Sequence, residues 1–210
     1  MPSSLPSHPV PMFPLPGVFL YPGQVLPLHV FEPRYRQLVN DQLDGLGRFV
    51  LATLLPSPPA VAGSGAVLPV AGFGEIVRHE RLPDGRFHVW LLGLCRVYVQ
   101  EVASDRLYRQ VTCLPFPELP VAANLAKALG QRLRSAAEAR LGQELPLPED
   151  APPSLLADLL LQMLGAAPEL LARCYAEPSV QARADLVLAA AQAAGPGAAG
   201  GPGGAAPSPN

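Results

Sequence analysis

His79 and His88 flank Pro83-Asp84-Gly85, and Cys95 follows a short way along the chain. Imidazole and thiolate are ligands that zinc prefers, and a hairpin at that turn would bring the two rings face to face. Zinc sites space their ligands in short, regular pairs. None of His8, His29, His79 and His88 is spaced that way from another or from Cys95, Cys113 or Cys174, so plain strand histidines are the simpler reading. Glu75, Glu80 and Asp84 offer carboxylate pairs for acid–base work, but nothing in the sequence marks one as buried, which favours a solvated face. Lys127 is the only lysine and stands between Ala126 and Ala128. It fits neither a phosphate-binding loop, where Gly-Lys must precede Ser or Thr, nor a Ser–Lys dyad with its flanking motif. The sequence therefore assigns no catalytic, cofactor-binding or metal-binding residue, and it predicts a protein that is not an enzyme.

The elements that would position these groups begin with residues 14–43, PLPGVFLYPGQVLPLHVFEPRYRQLVNDQL. Residues 24–30 alternate as a strand, with Leu26, Leu28 and Val30 on one face. Pro33 suits the first position of a helix, where its missing N–H has no intrahelical partner. Tyr35, Leu38, Val39 and Gln42 then recur at helical spacing, and Gly45 and Gly47 end the helix. Glu32 is placed to cap this helix or meet its positive end, and Arg34 to reach back to the strands.

Further strands are expected at 10–15, 48–55, 75–82, 86–92, 95–102 and 107–114, with a bulge or bend at Gly93. The run at 48–55 is apolar throughout, so both of its faces should be covered. Six or seven strands and one helix thus precede Pro115, enough for a small barrel or sandwich. Residues 115–120, PFPELP, form an extended boundary. Helices follow at 121–141 (Leu125, Leu129, Leu133, Ala136 and Arg140 on one stripe), 154–164, 168–175 and 178–191 (Val180, Ala184, Val187 and Ala191 aligned), joined by connections short enough for a bundle. Residues 1–9 and 192–210 read as disordered tails, and 56–65 as a loop.

Composition agrees with a folded chain. Of 210 residues, 49% are hydrophobic and 15% charged, and the formal charge of −2 gives no long-range pull on a polyanion. Three widely spaced cysteines argue against a disulfide framework and fit a reducing cytoplasm. The start of the chain lacks the features of a signal peptide, and residues 155–164 are too short and too polar to span a bilayer.

Phe13-Pro14-Leu15-Pro16, Tyr21-Pro22-Gly23, Leu26-Pro27-Leu28 and above all Phe31-Glu32-Pro33-Arg34-Tyr35 resemble, in order, the start of the Lon protease N-terminal (substrate-binding) domain family. Leu82-Pro83-Asp84-Gly85-Arg86 and residues 175–183, YAEPSVQAR, extend the likeness more loosely over most of the chain. Gly72-Phe73-Gly74 departs from the family, which usually places threonine or cysteine after the glycine. The resemblance implies an α+β protein: a PUA-like β pseudo-barrel with one helix over residues 10–117, followed by an α-helical bundle over 118–191. It further implies a stand-alone bacterial member without ATPase or peptidase domains. Such a member would be a non-catalytic module that binds unfolded or exposed apolar polypeptide as an adaptor or chaperone-like factor.

Phe19, Leu20 and Tyr21, in a Pro/Gly-framed loop, are the candidate polypeptide-binding residues, with core packing as their other reading. Phe31, Glu32, Pro33, Arg34 and Tyr35 are read as structural. A PUA-like barrel makes RNA binding the alternative function. The nine arginines and nine acidic residues up to Glu118 cancel, however, so a nucleic-acid partner is disfavoured. No cofactor and no membrane are expected.

Overall fold

The computed structural model describes residues 5–55 and 65–195. The expected loop at 56–65 lies outside these residues except for Gly65, as do residues 1–4 of the first expected tail and 196–210 of the second. The chain divides into two compact units, Met1–Phe116 and Pro117–Asn210.

The first unit holds β1 (Val10–Pro16), β2 (Val25–Val30), α1 (Pro33–Leu43), β3 (Arg48–Leu54), β4 (Val70–Arg81), β5 (Phe87–Val102) and β6 (Arg109–Pro115). The sheet runs β2-β5-β4-β3-β1-β6, and a further β5–β6 pairing closes its last five strands into a ring. Among the described strands only β1 and β3 pair in parallel. Closure depends on β5, which is one strand of 16 residues and not the two that the sequence suggested. Its first half pairs with β2 and its second half with β6. Between the halves the register moves from Gly74↔Gly93 to Phe73↔Cys95, so Leu94 is an extra residue. That bulge turns the strand without breaking it.

Apolar layers lie on both faces of β3. Phe49 and Leu51 join one cluster, with Phe13, Tyr35, Leu38 and Phe87, while Val50 and Ala52 join another, with Met12, Phe73 and Val97. Helix α1 seats Tyr35, Leu38 and Val39 in the first layer, and the Tyr35 ring stacks on Phe13 at 3.9 Å. Pro33 opens this helix as expected, but the Glu32 side chain does not cap it. The carboxylate takes the Arg34 guanidinium instead, at 2.7 Å and 2.9 Å, because a charge-assisted pair two residues away outcompetes a neutral backbone N–H. Arg34 accordingly does not reach back to the strands; it lies over the Tyr35 ring, 4.4 Å from the centroid.

The second unit holds α2 (Ala123–Leu141), α3 (Pro153–Met163), α4 (Pro168–Tyr175) and α5 (Val180–Ala193). Pro153 and Pro168 open α3 and α4, Gly142 closes α2 at φ 73°, and Ser179 Oγ caps α5 by accepting from Ala182 N–H. The buried stripe of α2 is Leu129, Leu133 and Ala137. Leu125 is exposed and Ala136 only half-buried, because the core follows successive i+4 steps instead of the wider stripe read from the sequence. Leu119 N–H donates to the Pro178 carbonyl and Val180 N–H to that of Leu119, tying the start of this unit to the α4–α5 turn.

Candidate functional site

Strand alternation divides β2 and the first half of β5 into two faces. Leu28, Val30, Phe87, Val89 and Leu91 point inward and are buried. Val25, Pro27 and His29 on β2, with Phe31 just beyond, and His88, Trp90 and Leu92 on β5 occupy the other face and are exposed or half-buried. In register, Pro27 opposes Trp90 and His29 opposes His88, while on the far side of β5 Arg78 opposes Trp90 and Glu80 opposes His88.

A continuous row of rings results. Phe31 lies 5.9 Å from His29, His29 makes an edge contact with His88 at 5.1 Å, and His88 meets Trp90 edge-on at 6.4 Å. Arg78 covers the far end, its guanidinium carbon 4.5 Å from the centre of the Trp90 ring. Phe31 is 59% exposed and His29 is exposed, while His88 and Trp90 are half-buried, so the row is open at its Phe31 end. Among the described residues Arg78 has no carboxylate within salt-bridge distance. Rings of this kind, with one cation over them, attract apolar and aromatic groups through dispersion and quadrupole contacts and need no reacting centre.

The structure places Phe19, Leu20 and Tyr21 in the interior, not at a free apolar edge. All three are buried, and Leu20 belongs to the core cluster that contains Leu91. The loop is held inward at Gly93, which accepts a hydrogen bond from Gly23 N–H and donates one to the Gln24 carbonyl, both at 2.8 Å. A Cβ on Gly93 would overlap the Tyr21 carbonyl oxygen, so the loop crosses where only glycine leaves room. Of the Phe31–Tyr35 motif, Phe31 alone reaches the ring row. Sequence reasoning missed His29 and Trp90; the available signal was an uncharged, half-apolar outward face on two neighbouring strands.

His79 and His88 do not face each other. His79 pairs with Val89 and His88 with Glu80, so the two imidazoles leave opposite faces, and His88 meets His29 instead. Among the described residues no three His, Cys, Asp or Glu side chains gather as a metal centre requires. Burial pushes the Cys95 thiol up, and burial with the neighbouring Cys95 takes Cys113 up to about 11, which removes the thiolate that a nucleophile needs. In the helical unit a groove of about 660 Å³ opens between α2 and α5, its lining divided between small apolar residues such as Ala136 and Ala191 and polar ones such as Gln131, Arg132, Arg140 and Gln192.

The family model of the ATP-dependent protease La (LON) substrate-binding domain matches residues 9–192, and the chain belongs to that family. Among relatives, the Lon protease of Roseiflexus castenholzii is 26% identical over 175 residues, 76% of this chain and 21% of that protein. The Lon protease of Trichlorobacter lovleyi is 27% identical over 171 residues, 74% of this chain and 20% of that protein. The chain thus spans about a fifth of the length of these curated relatives. The crystal structure of a Lon N-terminal domain protein from Xanthomonas campestris matches with TM-score 0.64 at 22% identity, covering 87% of this chain and 98% of that one. The N-terminal domain of the Mycobacterium avium complex Lon protease gives TM-score 0.67 at 15% identity, covering 88% and 98%. At these identities the two structures establish the fold, an α+β architecture of closed sheet and helices. No helix among the described residues is long and apolar enough to cross a membrane.

Proposed function

We propose that this chain recognises unfolded or exposed apolar polypeptide segments and performs no reaction on them, serving as an adaptor or chaperone-like factor in the cytoplasm. The observation that carries this reading is the open row Phe31–His29–His88–Trp90 on the outward face of β2 and β5. Soluble proteins seldom leave contiguous rings exposed unless a partner covers them. Membership of a substrate-binding family and the absence of a reacting pair in the row support the same conclusion. Nucleic acid is not the partner in this reading, because a single cation lies over the rings and the charges of the first 118 residues cancel.

Trp90 is the only tryptophan, so its emission reports on the row directly. Calorimetric titration with reduced, carboxymethylated lactalbumin, a permanently unfolded chain, is expected to show saturable binding, while native lactalbumin shows none. Phe31→Ala should weaken binding about tenfold, the effect of losing one exposed aromatic contact. No binding of the unfolded chain by calorimetry, or turnover of casein or ATP by the pure protein, overturns the proposal.

A further inference from the structure

Among the described residues strand β2 ends the sheet: it pairs with β5 on one side and with no described strand on the other. Natural edge strands are shielded by lysines, bulges or covering elements, since a bare row of N–H and C=O groups is a template for another chain. Here no charged side chain occurs from Gln24 to Phe31, and Val25, Pro27 and His29 are all exposed. Pro27 is the only shielding residue.

The hydrogen-bond phase shows which groups the edge offers. Gly93 N–H donates to the Gln24 carbonyl, so Gln24 bonds toward β5. By alternation Leu26, Leu28 and Val30 also face β5, while Val25, Pro27 and His29 direct their backbone groups to the open side. Pro27, having no N–H, fits such an outward position without removing a bond to β5. The open edge therefore presents the N–H groups of Val25 and His29, about 13 Å apart at ordinary strand rise, and the carbonyls of Val25, Pro27 and His29. Beside it stand Val25, His29 and Phe31, apolar or aromatic and uncharged at neutral imidazole.

We infer that β2 receives an extended, uncharged stretch of client polypeptide as an added strand. Its backbone bonds to Val25 and His29, and its alternate side chains lie beside the ring row. The inference rests on the proposed function and specifies the shape of the client. Only a segment without secondary structure has free backbone groups to offer, so strand addition itself selects unfolded chains. The charge pattern selects an uncharged segment, because a lysine or aspartate facing Val25 or Phe31 would lose hydration with no opposite charge on β2 to meet it.

The test uses the full chain with reduced, carboxymethylated lactalbumin as probe. Pro27→Thr restores an outward N–H and should tighten binding about fivefold, the value of one more backbone hydrogen bond. Val25→Pro removes one and should weaken binding by a similar factor, whereas Val25→Ala, which keeps the N–H, should change it less than Val25→Pro does. In the unaltered protein the amides of Val25 and His29 should gain protection from hydrogen exchange when the probe is saturating. The Pro27→Thr gain and the exchange readout do not depend on a variant that fails to fold. If the protein binds the probe but Pro27→Thr gives no gain and the two amides exchange as before, the added strand is overturned while the binding face stands. If it does not bind the probe, the proposed function falls first. Protection of the same amides by concentration-dependent dimerisation without probe assigns the edge to a second copy and also overturns the inference.

Discussion

Arg183 Nε lies 3.2 Å from Asp158 Oδ1, joining α5 to α3 inside the helical unit. The Arg183 side chain is fully buried; Nη2 also reaches Glu118 at 2.9 Å, and Nη1 donates to the Glu177 carbonyl at 3.2 Å. A guanidinium removed from water needs such partners, and a carboxylate left behind without it would be an uncompensated buried charge. Arg183→Ala is therefore expected to destabilise the helical unit by about 3–5 kcal/mol, read from urea unfolding followed by far-UV circular dichroism. Replacing both residues by apolar ones, Arg183→Met with Asp158→Leu, should recover most of that loss. A double variant as unstable as the single one would show that shape, and not charge, is what Arg183 supplies.

Two glycines separate a clash from a conformational cost. At Gly93 an added methyl meets the Tyr21 backbone, which cannot move without releasing the 19–21 loop, so Gly93→Ala should cost at least ~3 kcal/mol. At Gly85 the added methyl meets only the end of the Arg36 side chain, which can swing away, and the cost is that of φ +79° for a residue with a Cβ. Gly85→Ala should cost roughly 1–2 kcal/mol. Melting temperatures of the two variants check the order.

How much of this was legible in the sequence follows from what each feature depends on. The β2–α1 unit was readable because Pro33, the strand alternation and the Tyr35, Leu38, Val39 spacing are local, as were the turn at Pro83-Asp84-Gly85 and the existence of helices near 154–164 and 168–175. The placement of Phe19, Leu20 and Tyr21 was not. Their Pro/Gly frame marks a loop, but the contact that draws it inward is with Gly93, some 70 residues on. His29 and His88 meet through β2–β5 register, which no local pattern contains, and the same holds for His79 losing its expected partner. Asp158 reads in the sequence as a polar interruption of an apolar run, and only the packed helices reveal the arginine that it serves.

Alkaline pH should loosen the first unit through Tyr108. Burial, and the hydrogen bond that its hydroxyl donates to Asp41 at 2.8 Å, push the phenol up to about 12 from an ordinary value of 10.0. The unfolded chain then releases this proton first, so it binds fewer protons than the folded chain between those values. The contribution of Tyr108 is fully present below pH 10 and is lost as pH rises toward about 12. Tyr35, raised chiefly by burial, acts in the same direction. Tyr108→Phe should flatten the decline in urea midpoint across that window, and an unchanged decline would remove Tyr108 as its cause.

Salt separates the two partners that a closed β framework of this kind could serve. Binding to a nucleic-acid backbone releases counterions, so affinity falls steeply with salt, by about tenfold or more between about 50 and 200 mM when several phosphates are contacted. The ring row has one cation over it, Arg78, and that cation already lies against Trp90. Contacts to an uncharged segment are dispersion and backbone hydrogen bonds, which salt at these levels barely screens, and burial of apolar surface is strengthened by excluded salts such as sulfate. Affinity for reduced, carboxymethylated lactalbumin should therefore be nearly flat from about 50 to 200 mM sodium chloride, and Arg78→Gln should leave that slope unchanged. Single- and double-stranded RNA oligonucleotides should not shift Trp90 emission even at low salt. A steep negative slope abolished by Arg78→Gln would show that binding runs through an anionic contact at that guanidinium and not through the uncharged row, and an RNA-induced shift at low salt would move the assignment from polypeptide to polyanion.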